Sequence, residues 1–127
     1  YPSLNAFLTE KDIITTRLTI GQTLNHAKHL ARSRSVFTDY RINEANEISW
    51  QTSDGQITKK LKLSNRIQVD PINLVFRPSG TTGSRTGNGS NIPNIFDFII
   101  TIKAAKIQDT TLVESINISS TGAITTL

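Results

Sequence analysis

From Leu4 to Val36 the sequence reads LNAFLTEKDIITTRLTIGQTLNHAKHLARSRSV. Gly21 is the one helix breaker in this stretch, and its apolar residues recur at helical rather than alternating spacing. One long helix is therefore expected. At 1.5 Å per residue, ~33 helical residues reach roughly 50 Å, longer than a globule of this chain length requires, so part of the helix is expected to project.

Advancing each residue by about 100° sorts the apolar positions onto two sides. Leu4, Phe7, Leu8, Ile14 and Leu18 gather on one. Ile13, Ile20, Leu24, Ala27 and Ala31 gather on the opposite one, which predicts that the buried face shifts by about half a turn near the middle. Two partners are implied: the narrow, Ala-rich downstream stripe packs on this chain's own sheet, and the upstream stripe packs on helices of neighbouring molecules. The competing reading is a curved helix wrapped on both sides by a single core. Exposure of Ile14 and Leu18 discriminates between them.

Upstream, Ser3 reads as an N-cap or Pro2 as a kink inside a longer helix. Downstream, Thr38 and Asp39 read as the exit, and from Tyr40 the apolar spacing shifts toward two. Ile48 and Trp50, the turn Ser53-Asp54-Gly55, and then Ile57, Leu61 and Leu63 make a hairpin. Lys59 falls on its apolar face, so the strand is bulged there or its end lies beyond the core. Asp70-Pro71 punctuates, and Ile72, Leu74 and Phe76 form a strand that closes at Pro78. Arg77 to Asn94, rich in glycine and small polar residues, reads as a surface loop on the rim. Phe96, Phe98, Ile100 and Ile102 alternate while Ile95 and Ile99 occupy the other face, as expected of a central strand covered at least partly on both sides. Leu112, Ile116 and Ile118 mark another strand, Thr121-Gly122 a turn and Ile124 a short last strand. Strands without intervening helices favour an antiparallel sheet. The expected class is α+β: a helix over residues 1–37 packed on a β-rich head over residues 38–127, in one domain.

With 127 residues, 36% of them hydrophobic, one core is the limit. No run approaches the ~20 apolar residues that span a bilayer, so the chain as it stands is expected to be soluble. The absence of cysteine excludes disulfides and Cys-ligated metals. Fourteen Lys and Arg against ten Asp and Glu give a net charge of +4, compatible with nucleic acid, an anionic surface or plain solubility. Lys28, Arg32, Arg34 and Arg41 cluster around the helix end, where cations also complement the helix dipole.

Constellations for chemistry are thin. His26 and His29 stand three apart, but a metal needs further ligands and no carboxylate lies within one turn. Ser33 or Ser35 with His29 and Asp39 spell a triad without a nucleophile elbow or oxyanion hole. The run Gly80 to Gly89 lacks the Gly-Lys-Ser/Thr ending and following helix of a phosphate loop. No enzyme, cofactor or metal is expected.

Three short segments carry a resemblance. A helix with Leu30-Ala31-Arg32-Ser33, then Val75-Phe76-Arg77-Pro78-Ser79-Gly80-Thr81, then Ile116-Asn117-Ile118-Ser119-Ser120-Thr121-Gly122 resembles the FimT/GspH minor pilins and type II secretion pseudopilins. In that family the helix ends in a similar "LARSEA" stretch, an "F-x-P-x-G" segment leads into a variable Gly-rich loop, and the chain closes on an "IS-x-x-G" turn. The resemblance implies a type IV pilin-like fold and a structural subunit that initiates or caps a type IV pilus or secretion pseudopilus. Its partners would be other minor and major pilins or pseudopilins. It also implies an apolar half-helix upstream of Tyr1 that anchors the precursor in the inner membrane, with the head in the periplasm. Leu4, Phe7, Leu8, Ile14 and Leu18 are the expected assembly face.

A branch of the family binds DNA during natural transformation through a C-terminal "GRxR" segment. Here the corresponding run is Gly122-Ala123-Ile124-Thr125, and both arginines are missing. The alternative role in DNA uptake then rests on Lys59, Lys60, Lys62, Arg66, Arg77 and Arg85 as a substitute basic surface.

Overall fold

The computed structural model describes residues 4–85, 91–93, 96–106 and 110–126. Pro2, Ser3 and Ile95, read above as cap, kink or strand positions, lie outside the described residues. Helix α1 runs Leu4–Arg34. Its exit comes earlier than expected: Ser35 takes a left-handed φ of 54°, and the Val36 amide donates to the Ala31 carbonyl at 3.1 Å. That five-residue span is the outer bond of a Schellman cap, which frees Thr38 and Asp39 to begin a strand.

The buried side of α1 is one continuous stripe: Thr9, Ile13, Thr16, Ile20, Thr23, Leu24, Ala27, Leu30 and Ala31. The expected half-turn shift does not occur, because threonines at 9, 16 and 23 carry the inward face where aliphatic residues run out. From Thr9 onward the helix is packed, so projection is confined among the described residues to its first turn.

Ten strands follow: β1 Thr38–Ile42, β2 Glu47–Thr52, β3 Thr58–Lys62, β4 Ile67–Val69, β5 Ile72–Phe76, β6 Thr82–Arg85, β7 Asn91–Pro93, β8 Phe98–Ala104, β9 Glu114–Ile118 and β10 Ile124–Thr126. They form two antiparallel sheets rather than one, in the orders β3-β2-β1-β5-β6-β7 and β10-β9-β8-β4. The chain changes sheet at Asp70-Pro71. The Asp70 amide still donates to Thr101 of β8, and Pro71, without an amide hydrogen, ends that ladder. Asn46, in the β1–β2 turn, ties the sheets together, its Nδ2 donating to the Ile67 carbonyl at 2.6 Å. Helix α1 lies against both sheets, and Ile20, Leu24, Tyr40, Ile48, Phe76, Ile100 and Ile116 meet in one core.

Three strand expectations change. The β2–β3 register runs unbroken from Glu47↔Lys62 to Gln51↔Thr58, so there is no bulge at Lys59. Every β3 side chain is exposed, Leu61 included, because β3 is the open edge and the core ends at β2; only Leu63, beyond the strand, is buried. Strand β8 is interior to its sheet but begins at Phe98, and Phe96 and Ile99 are exposed. Only the helix side of this sheet is covered, so β8 is a half-buried strand. The segment Arg77 to Asn94 contains β6 and β7, which extend the first sheet beyond β5. Gly83 and Pro93 pair there on backbone contacts, without the apolar alternation that marks a strand in sequence.

Candidate assembly surface

Helix α1 is fastened to the body along both flanks. On one, Arg17 pairs with Glu114 at 3.2 Å, and Glu10 accepts from the Thr110 hydroxyl at 2.9 Å. On the other, Asp12 accepts from Arg66 at 3.2 Å and from the Ser64 hydroxyl at 2.8 Å. Between these rails the side of the helix away from the sheets carries Leu4, Phe7, Ile14 and Leu18, which are 72%, 60%, 43% and 55% exposed. Leu8, at the margin, is half-buried. With both Ile14 and Leu18 exposed, one core does not wrap both sides of this helix. Beyond Leu18 the same side continues as Gln22, Asn25 and His29, all exposed and polar. The apolar ridge is thus a contiguous patch, rimmed by ion pairs and ending at mid-helix.

The C-terminal half of α1 is held differently. Gly80 closes the β5–β6 turn at φ 90° and Gly122 the β9–β10 turn at φ 88°. They touch: a Cβ on Gly122 would stand 1.9 Å from the Gly80 carbonyl oxygen. Lys28 Nζ donates to the Gly122 carbonyl at 3.0 Å, and the Arg32 stem lies over Gly80, 3.0 Å from where its Cβ would be. Thr82 adds a bond from its amide to the Ser120 carbonyl at 3.2 Å. All three short segments on which the resemblance rests therefore converge into one clasp between the helix end and both sheets. Sequence reading found the segments separately; the two turn glycines were the signal that their backbones meet.

Under the helix, Thr23 and Tyr40 share a hydroxyl bond at 2.8 Å, and Trp50 donates to His26 Nδ1 at 3.1 Å. Burial pushes the Tyr40 phenol far above its usual range, with the Thr23 bond opposing. His26, itself exposed, uses Nδ1 to hold the Trp50 indole, and no group of three or more His, Cys, Asp or Glu suited to a metal exists among the described residues. Ser33 and Ser35 are exposed at the helix end, and Ser35 supplies the left-handed cap.

The five candidate cations whose side chains are described are not brought onto one surface. Lys59 and Lys60 are adjacent on β3 and so point to opposite faces of the sheet, Lys60 lining a groove of 490 Å³ with Arg41, Gln51, Asn73 and Leu74. Lys62 donates to the Ala45 carbonyl. Arg66 is spent on Asp12. Arg77 sits in the β5–β6 turn beyond β5, with β1 and β2 between that strand and the lysine edge. Of Arg85 the structure describes the backbone, at the end of β6.

One long N-terminal helix laid over antiparallel sheets is a pilin-like fold. Two solved structures share it. The minor pseudopilin EpsH of the type 2 secretion system of Vibrio cholerae superimposes with a TM-score of 0.68 at 15% identity, over 91% of this chain and 96% of that one. The type IV minor pilin FimU of Pseudomonas aeruginosa gives a TM-score of 0.69 at 15% identity, over 95% of this chain and 92% of that one. No family model matches the sequence, and no curated protein matches it significantly. Among the described residues no helix is long and apolar enough to cross a membrane.

Proposed function

We propose that this chain is a structural subunit of a pilin-type filament, a minor pilin or pseudopilin that helps to initiate or cap a type IV pilus or a type II secretion pseudopilus. The observation that carries the proposal is the ridge of Leu4, Phe7, Ile14 and Leu18, which the fold leaves in water on the side of α1 away from its own sheets. Burying such side chains contributes about 1.5–3 kcal/mol each when a partner covers them fully. Partial exposure scales that down, so the drive comes from the row as a whole. The partners are the helices of other pilin-like subunits in the cell envelope, with the clasped head turned outward. The ion-pair rails serve this role by holding the helix at a fixed rotation, so that the ridge meets its neighbours in one orientation.

Leu18→Asp in the full-length protein tests the proposal. Filament-dependent function should be lost in cells, while the isolated chain keeps its melting temperature, because Leu18 is more than half exposed and is not a core residue. Normal piliation or secretion in that variant rejects the filament role. The alternative role in DNA uptake would need Lys59, Lys60, Lys62, Arg66 and Arg77 to act from separate surfaces, and a salt-titrated duplex-binding measurement addresses it directly.

A further inference from the structure

The outward ridge has an internal pattern that its role as an apolar patch does not use. Leu4, Phe7, Lys11, Ile14, Leu18, Gly21 and Asn25 are spaced alternately by three and four residues. That is the a/d spacing of a helix-pairing seam, with Leu4, Lys11, Leu18 and Asn25 at a and Phe7, Ile14 and Gly21 at d. The apolar part spans two heptads, roughly 21 Å, which is too short to hold two free chains together but long enough to set register within a larger assembly. Lys11 occupies its centre. It lies about 20° from Leu18 around the helix, is exposed, and has no ion-pair partner among the described residues.

We infer that Lys11 is a partner-selecting residue, and that the helix docking on this ridge belongs to a different subunit and presents an Asp or Glu within one turn of it. This rests on the assembly reading above. A lone ammonium enclosed by Leu4, Phe7, Ile14 and Leu18 is costly to desolvate unless a carboxylate meets it, and a single charged a position is the device by which paired helices fix register and reject wrong partners. A second copy of this chain is a poor match. Its a and d positions from 4 to 25 contain no Asp or Glu, and the two carboxylates beside Lys11 are engaged within the chain, Glu10 with Thr110 and Asp12 with Ser64 and Arg66. Homotypic pairing therefore sets Lys11 against apolar side chains or another Lys11, whereas one acidic helix satisfies it. The seam admits this subunit beside a different neighbour rather than into a run of itself.

The test places a photo-crosslinking amino acid at Thr15, exposed beside the seam, in the full-length protein in its host. The crosslinked peptide should come from the helix of a different pilin-like subunit and contain Asp or Glu within one turn. Lys11→Glu should lower the yield at least about tenfold, corresponding to 1.4 kcal/mol or more, and changing the partner's carboxylate to Lys should restore it. Lys11→Met should lower it too, by stranding that carboxylate. Crosslinking to a second copy, a peptide without a nearby carboxylate, no crosslink to any subunit, or an undiminished yield in Lys11→Met overturns the inference. If Leu18→Asp abolishes function while Lys11→Glu does not, the ridge is used and Lys11 merely extends its ammonium to water. If neither variant matters, the filament reading itself falls.

Discussion

The two long sides of α1 invert the usual expectation. The side in water carries Leu4, Phe7, Ile14 and Leu18, while the side against the sheets includes Thr9, Thr16 and Thr23 among Ile13, Ile20, Leu24 and Ala27. Hydropathy alone does not rank these faces. What separates them is shape and hydrogen-bond provision. Threonine is compact enough for close approach to a sheet, and its hydroxyl can return to the helix backbone, as Thr23 does to the Ile20 carbonyl at 2.9 Å. A large aliphatic residue facing out costs little in the monomer and becomes valuable when another molecule covers it. The inward face is thus built for fit and the outward face for adhesion.

The largest contrast comes from truncating one residue on each side. Ile20→Ala opens a cavity under a fully buried side chain and should destabilise by about 2–5 kcal/mol in urea unfolding. Leu18→Ala should stay within about 0.5 kcal/mol, since its side chain is already more than half exposed. Equal losses at the two positions would mean that the outward ridge is packed within the monomer.

Next in size is the clasp that fixes the helix rotation. Gly122→Ala places a methyl 1.9 Å from the Gly80 carbonyl oxygen at a φ of 88°, so one turn must withdraw and the bond from Lys28 goes with it. A loss of about 2–4 kcal/mol is expected, from backbone strain together with the displaced turn. Ser79→Ala, in the facing β5–β6 turn but exposed, should change little. If Gly122→Ala melts like the parent chain, the two turns do not hold the helix end.

The threonines of the inward face separate by whether the hydroxyl is used. Thr23→Val leaves the buried Tyr40 hydroxyl without its partner and should cost about 1–3 kcal/mol. Thr9 is also fully buried, but its hydroxyl has no partner among the described residues, so Thr9→Val should be neutral or stabilising by up to about 1 kcal/mol. Equal costs at both positions would show that the methyl and shape of threonine, not its hydroxyl, are what the inward face requires.

Much of this was legible in the sequence, and the losses have physical causes. Helix, hairpin and turn glycines were readable because period, β-branching and left-handed backbone leave marks on residue choice. The exposed ridge was readable because opposed apolar stripes cannot both face one core. The inward face was misread where Thr9 and Thr16 replace aliphatic residues, although 9, 16 and 23 interleave with 13, 20 and 27 at helical spacing. Strands β6 and β7 were invisible because they are held by backbone pairing, β6 to β5 and β7 to β6, which glycine and serine satisfy as well as valine does. The second sheet was hidden because the chain enters it after β3 and leaves it at Asp70-Pro71 through connections that look like any other turn.

The smallest effect concerns how the two faces end together. Both stop at the Schellman cap, where Ser35 holds φ 54° and Val36 bonds back to Ala31. A residue with a Cβ pays about 1 kcal/mol in that left-handed region, and glycine does not. Ser35 is exposed and makes no side-chain contact that the cap needs, so Ser35→Gly should raise stability by about 0.5–1 kcal/mol despite the added freedom of the unfolded chain. Ser35→Val should lower it by a similar amount or more, because a β-branched side chain tolerates that backbone least. Should glycine destabilise instead, the helix end is set by the clasp at Gly80 and Gly122 rather than by its own cap, and the rotation of both faces is then dictated from the sheets.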